Sequence, residues 1–383
     1  MKRGPTGRYR TTTTAGERVR AFIPNALPPD PPIVLDEKRQ QLLERATLAL
    51  GRLDSVGVLL PATEQFLYSY VRQEAVLSSK IEGTQSSLSD LLLFELQQSP
   101  GTPIKDVVEV SSYVAALYHG ITRLNDGFPL TGRLLCEMHA ILMERGRGSD
   151  KLPGTFRRSH NWIGGTRPGN AHFVPPPPDE IAACVSDFEK FINDPNGLPI
   201  LLRAAAAHVQ FETIHPFLDG NGRIGRLLII LLLVHNGVLS QPLLYLSLFF
   251  KQHRQTYYRL LDAVRMDGEW EEWIDFFLEG IEHTASTASI TAQRIVQLCD
   301  EDAQTIQRSG RGATSTLRVH MVLRQRPIIT IGYLCEFHGM TFPTASKAVT
   351  MLVDLGILRE LTGHRRNRVF VYHTYMELLS TDE

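Results

Sequence analysis

The stretch HPFLDGNGRIGR, residues 215–226, decides how the rest of the chain is read. Its glycines, Gly220, Gly222 and Gly225, have the G-x-G-x-x-G spacing of a dinucleotide-binding loop. Such a loop needs a strand before it and an acidic residue about twenty positions on to hold a ribose. Here the preceding RAAAAHVQFETIH, residues 203–215, is alanine-rich and helical, and no Asp or Glu lies between Arg223 and Arg259. The glycine spacing is therefore a coincidence. A plain helix start accounts for Gly220 and Gly222 but not for Arg223 and Arg226. These two fall in the first turn of a helix, where the macrodipole disfavours cations by about 0.3 kcal/mol or more, and at i and i+3 they share a face. An anion is their natural partner. Backbone N–H groups of Asn221 and Gly222 at a helix N-terminus, joined by two guanidinium groups, make a cradle for a polyphosphate. Asp219 can hold a magnesium ion that bridges phosphates. His215 stands at the edge, with a pKa suited to accepting a proton near neutrality.

Outward from this stretch, helical spacing dominates. EKRQQLLERATLALGRLD, TEQFLYSYVRQEAVLSSKIE and SSLSDLLLFELQQ come before it, and GRIGRLLIILLLVHNG and EWEEWIDFFLEGIEHTASTASITAQRIVQL follow, all with apolar residues three and four apart. Residues 1–35 are polar and then proline-rich, which suggests an extended arm lying on the domain with disorder at its very start. One stretch of the main body reads as strand-like: residues 153–178, two short extended pieces around a Gly/Pro-rich turn, a candidate hairpin. Ser87 with Asp90 reads as a helix cap. His208 reads as a hydrogen-bonded core histidine, Trp270 and Trp273 as core, and Arg157 and Arg158 as exposed hairpin charge.

HPFLDGNGRIGR resembles the HPFx(D/E)GNGRxxR signature of Fic-domain proteins at every specified position, and the resemblance extends over most of residues 20–285. It implies a mainly α fold: a helical core with a β-hairpin flap. It also implies an enzyme that transfers AMP from ATP to a Ser, Thr or Tyr hydroxyl of a target protein and releases pyrophosphate. His215 then resembles the general base, and Asp219 the magnesium ligand. Gly220, Asn221, Gly222, Arg223, Ile224, Gly225 and Arg226 form the ATP-binding loop, with an anion hole at Asn221 and Gly222 for the charge that builds on the α-phosphate. Tyr245 matches a position lining the adenine pocket, and His253 stands where relatives often carry an asparagine. Asn161, Trp162, Ile163 and Gly164 are the flap candidates that pin an extended target segment by strand addition.

SSKIEG adds the (S/T)xxxE(G/N) pattern of the family's inhibitory helix: Ser78, Glu82 and Gly83, placed before the core. Ser78 and Glu82 are i and i+4 on one face, and Gly83 suits a helix end. Glu82 paired with Arg226 would set a carboxylate where the γ-phosphate belongs. In some relatives the same glutamate assists AMP removal.

The composition changes after residue 315. The order helix, short helix, helix and two strands around a basic turn reads as a small winged helix-turn-helix domain. Residues 311–375 hold nine Lys/Arg against three acids, although the whole chain balances 40 basic against 41 acidic residues. DNA is one partner for this module, read by Thr341, Thr344, Ser346 and Lys347; dimerisation or target docking is the other use of such a fold. The alternative function is thus a DNA-binding transcriptional regulator whose core senses nucleotide. The domain reading is 1–110 for the arm and helices including the inhibitory one, 111–285 for the catalytic core, 286–315 for a linker and 316–383 for the winged helix. Cys136, Cys184, Cys299 and Cys335 are too scattered for a disulfide framework. The apolar run at 227–234 is too short to span a bilayer. A cytoplasmic protein away from the membrane is expected.

Overall fold

The computed structural model describes residues 2–59, 63–96, 103–195, 197–364 and 366–380. The chain opens with an antiparallel hairpin, β1 (Gly7–Thr14) and β2 (Glu17–Pro24), paired from Gly7↔Pro24 to Thr14↔Glu17. This corrects the extended arm expected over residues 1–35. Ala15 and Gly16 take φ of 48° and 79°, the left-handed pair whose twist suits a two-residue hairpin turn. The threonine run supplies β-branched residues for the ladder. Phe22 N–H donates to the Val174 carbonyl at 2.9 Å, so β2 also pairs with the segment expected to form the flap. Arg3 pairs with Glu271 at 2.5 Å, both buried, and ties the arm to the helical body.

Five helices follow: α1 (Glu37–Leu59), α2 (Thr63–Ile81), α3 (Leu88–Glu95), α4 (Ile104–Asn125) and α5 (Gly132–Met143). Ser87 caps α3 by accepting from Asp90 N–H, and the Asp90 carboxylate accepts from Ser87 N–H in return. A long irregular segment leads to α6 (Ile181–Ile192), α7 (Ile200–Ile214), α8 (Asn221–His235), α9 (Ser247–Gln252), α10 (Arg254–Asp267) and α11 (Trp270–Arg308). The irregular segment corrects the expected two-strand flap. Among the described residues it forms a single bridge, Ile163↔Phe173, because glycines and prolines between 164 and 178 break any longer ladder.

Helix α8 sits at the centre. Leu227 to Leu233 are all buried, as an interior helix requires. Its neighbour α7 presents Ala204 to Ala207, fully buried, and these short side chains let the two axes approach. A Cβ on Gly225 would stand 2.5 Å from Glu212 Oε1 and 3.2 Å from a Phe211 ring atom. Trp270 and Trp273 are core residues at 2% and 0% exposure.

The linker expected over 286–315 is corrected as well: α11 runs unbroken to Arg308. Beyond it come α12 (Ala313–Gln325), β3 (Ile328–Thr330), α13 (Ile331–His338), α14 (Phe342–Asp354), β4 (Arg359–Glu360), β5 (Val369–Val371) and α15 (His373–Ser380). The three strands form an antiparallel sheet in the order β3-β5-β4. Thr341, Thr344 and Lys347 are exposed at the start of α14, with Ser346 half-buried. Arg365 of the basic turn lies outside the described residues. No helix among them is long and apolar enough to cross a membrane.

Candidate active site

The end of α7 and the start of α8 bring the 215–226 loop together. His215 caps α7 in the left-handed region, φ 49° and ψ 58°, a conformation that costs a residue with a Cβ about 1–2 kcal/mol. Arg157 stabilises it. Its guanidinium, 2% exposed, donates to the carbonyls of His215 (2.9 Å), Pro176 (2.6 Å), Ser159 (3.2 Å) and Ile214 (3.4 Å). The expectation of an exposed Arg157 is thereby overturned; Arg158 is exposed. The reason is electrostatic: a buried cation is tolerated where several carbonyl dipoles, here including the negative end of α7, converge on it. Burial, with Arg157 and Arg265 nearby, pushes the His215 imidazole down to about 3. It is neutral at physiological pH and has a lone pair to offer; its Nδ1 is buried and unpartnered.

Phe217 packs the loop from below. Its ring stacks on His139 at 3.8 Å with planes 5° apart. His139 accepts from Gly154 N–H at Nδ1, so its Nε2–H donates to the Asp219 carbonyl. The Asn221 side chain accepts from Phe217 N–H at 2.9 Å and donates to the Phe217 carbonyl at 2.9 Å, and Asn161 donates to that same carbonyl at 3.0 Å. Asn161 thus ties the flap segment to the loop. Ile163 makes the bridge, Gly164 turns at φ 68° and Trp162 is 37% exposed.

Gly220 precedes α8 with φ 75°, leaving the N–H groups of the first turn directed outward, as every helix start does. Asp219 Oδ1 accepts from Gly220 N–H at 2.6 Å. Among the described residues no group of three or more His, Cys, Asp or Glu side chains converges as a metal cage. A lone carboxylate suits a magnesium ion that takes its remaining ligands from phosphates and water.

The structure brings Ser78, Glu82 and Arg226 together. Arg226, 3% exposed, donates from Nε to Ser78 Oγ at 2.8 Å, and from Nη2 to Ser78 O at 2.9 Å and Glu82 Oε1 at 2.7 Å. Burial alone would raise the Glu82 carboxyl, but the guanidinium outweighs it and holds the group below the usual range. Gly222 makes room: a Cβ there would stand 2.4 Å from Glu82 Oε1. Arg223 goes elsewhere. It lies 3.5 Å from Glu109, with both side chains 3% exposed, and Arg147 shares that carboxylate at 3.4 Å.

Four expected nucleotide residues stand apart from this cluster. Ile224 is fully buried and Gly225 faces α7, so both are packing residues rather than ligands. Tyr245 is 3% exposed, with its hydroxyl 2.9 Å from that of Tyr70, and His253 is exposed beside the Phe249 ring. His208 is the core histidine expected, its Nδ1 on the Gly225 carbonyl and its Nε2 on Tyr257. Arg157, His139 and Glu109 were not anticipated. Their partners lie 58, 80 and 114 residues away, and no local spacing signals them.

Comparison with known proteins agrees with this geometry. Residues 40–122 match the family model described as Fic/DOC family N-terminal, and residues 129–233 the one described as Fic/DOC family. Proteins named protein adenylyltransferase Fic from Aedes aegypti and Culex quinquefasciatus are each 30% identical to this chain, over 256 and 255 residues. Each match takes in 65% of this chain and 47% of the relative. The chain therefore spans about half the length of the curated relatives it matches. A Fic family protein from Desulfovibrio desulfuricans G20 superposes with a TM-score of 0.56 at 18% identity, over 89% of this chain and 97% of that one. Fic-1 from C. elegans does so at 0.52 and 21%, over 67% and 73%. At these identities the structural likeness is one of fold. The chain thus carries two domains of the Fic/DOC family, the N-terminal one at residues 40–122 and the Fic/DOC domain at residues 129–233.

Proposed function

We propose that this protein is an adenylyltransferase that moves AMP from ATP to a hydroxyl side chain of a protein target, and that Glu82 holds it in an inhibited state. The observation that carries the reading is the contact of Arg226 with Ser78 and Glu82. It joins two motifs 144 residues apart at the one place where a polyphosphate would meet a helix N-terminus.

In the reaction the target hydroxyl loses its proton to the neutral His215 imidazole as its oxygen bonds to the α-phosphorus. The bond from that phosphorus to the bridging oxygen of the β-phosphate breaks, and pyrophosphate leaves with the electron pair. The first-turn N–H groups of α8 bind the α-phosphate oxygens as their charge grows. Arg226 binds the terminal phosphates once Glu82 withdraws, and Arg223 reaches them by leaving Glu109. Asp219 would hold a magnesium ion that neutralises the phosphates. Trp162 and the backbone around Ile163 receive the target segment.

With Glu82 in place, its carboxylate occupies the γ-phosphate position and takes the guanidinium that would bind there. Charge-assisted bonds of this kind are worth about 1.5–3 kcal/mol. The Glu82 side chain is 34% exposed, which places the contact toward the lower end. Glu82→Gly should therefore raise AMP transfer about 10- to 100-fold, and His215→Ala should abolish it. Mass spectrometry of the Glu82→Gly protein, with and without His215→Ala, after incubation with ATP and magnesium reads both outcomes. No added AMP on the protein or on any offered target refutes the transferase. Equal activity of Glu82→Gly and the unaltered chain refutes the inhibition.

A further inference from the structure

Helix α2 is gripped at two levels. Its C-terminal end carries Ser78 and Glu82 to Arg226. From its first half to its middle, Tyr68 and Arg72 form a second polar cluster. Arg72 Nε donates to the Glu95 carboxylate at 2.8 and 3.0 Å, and its guanidinium stacks 3.5 Å from the Tyr68 ring centre. The Tyr68 hydroxyl donates to the same carboxylate. The second cation on this cluster comes from beyond α11. Arg326, at the end of α12, donates to Glu95 at 3.2 Å and lies 5.5 Å from the Tyr68 ring and 4.9 Å from that of Tyr333. The three charged side chains are only 11%, 16% and 14% exposed for Arg72, Glu95 and Arg326. Helix α12 packs directly on α2, and β3 on α3. Midway along α2, Glu74 accepts from Tyr113 at 3.0 Å and from Ser247 at 2.5 Å.

Two faces of one helix are thus read by two different parts of the molecule. Tyr68 and Arg72 meet Glu95 of α3, the carboxylate that Arg326 of the C-terminal module also holds, while Glu74 and Ser78, with Glu82 just past the last turn, meet the core and Arg226. Ten residues separate Arg72 from Glu82, about 15 Å of helix, and Ala75, Val76 and Leu77 between them are fully buried. A helix so packed moves as a body, and a hydrogen bond of 2.7 Å is lost over less than an ångström.

We propose that the C-terminal module, residues 313–380, regulates the transferase site by holding α2, through Arg326 and Glu95, in the position from which Glu82 reaches Arg226. This rests on the reading of Glu82 given above. A partner or ligand that engages the module and shifts Arg326 would then release the active site without touching it.

The test uses the full chain with Arg326→Ala, and Glu95→Gln as the same contact cut from the other side. Two quantities are read: hydrogen exchange of the amides of residues 76–84, and transfer of labelled AMP from ATP. An ion pair of this exposure supports about a five-fold effect. Both variants should raise exchange and labelling by that factor, and neither should raise labelling further in the Glu82→Gly background, where the contact is already gone. Arg326→Lys should restore most of the inhibition. Unchanged exchange in both variants overturns the proposal. So does an equal rise in labelling with and without Glu82, which would place the effect elsewhere. If Glu82→Gly itself transfers no AMP, the transferase reading fails, and the exchange measurement still decides whether the module holds α2.

Discussion

Arg157→Gln, made in the Glu82→Gly background, probes how the proposed base is held. The native side chain spreads four donor contacts over carbonyls from three stretches of chain; a glutamine amide has two donors and no charge. The His215 backbone, at φ 49°, sits about 1–2 kcal/mol above the ordinary regions. Once released it relaxes, and the share of molecules with the imidazole in place falls about 5- to 30-fold. The kcat should drop by that factor while the KM for ATP stays put, because the phosphate contacts lie on α8. Removing a neighbouring cation also raises the imidazole pKa, so the acid limb of the pH–rate profile should move to higher pH. Steady-state transfer of labelled AMP between about pH 3 and 8 measures both. An unchanged kcat and an unmoved acid limb would show that Arg157 only fills space, and a rise in the ATP KM alone would show that it acts on the nucleotide.

Gly222→Ala would set a Cβ 2.4 Å from Glu82 Oε1 and 3.1 Å from an Arg226 nitrogen. The Glu82 carboxylate, the end of a flexible side chain 34% exposed, swings aside and the ion pair opens, with a loss of about 1 kcal/mol of stability or less. A crystal structure of that variant with the pair intact would refute the close fit. Acid sensitivity follows from the buried histidines. Burial pushes His139 and His320 down to about 4, and His208 and His215 down to about 3. The folded state refuses protons that the unfolded chain accepts below about pH 6.5, so stability is lost as pH falls from there toward 4. Glu74 and Glu212, pushed up to about 7 by burial, work in the other sense: their contribution is present at low pH and lost as pH rises through 7. With four histidines against two glutamates, Tm should fall between pH 6.5 and 4.5; a rising Tm in low-salt buffer would contradict this balance.

The residues that were legible in the sequence are those whose chemistry is contiguous. His215, Asp219, Gly222 and Arg226 follow one another in twelve positions, and a helix start with two arginines calls for an anion whatever the fold. Ser78 and Glu82 were legible as a pattern, with Arg226 the expected partner of Glu82; the bonds from that guanidinium to Ser78 were not. Arg157 was misread because its partners are carbonyls, which carry no sequence signal. The N-terminal hairpin was hidden by polarity: its Thr11 to Thr14 run looks like a loop until Ala15-Gly16 is seen as a turn between two paired strands. The supposed linker was misread because EDAQTIQRSGRGATS, residues 301–315, is polar, whereas α11 continues into it as far as Arg308; the segment upstream was read as helical in spite of its composition. TASTAS, residues 284–289, has the composition of a loop. Yet Thr284 and Ser289 return their hydroxyls to carbonyls four residues back, at 2.7 and 2.8 Å. Ala285, Ala288 and Ala292 are fully buried where α11 packs along α1. Small side chains there serve close approach.

The unbroken course of α11 bears on how the molecule can be divided. Its 39 residues span about 58 Å, and the far half buries Ile295, Cys299 and Ile306 where α12 and α15 lie against it. Severing the chain between Arg308 and Ala313 would strip that half of its cover and leave a bare greasy spar. The catalytic portion and the basic tail are beams of one frame, without a natural seam at which evolution or an experimenter can exchange one and keep the other.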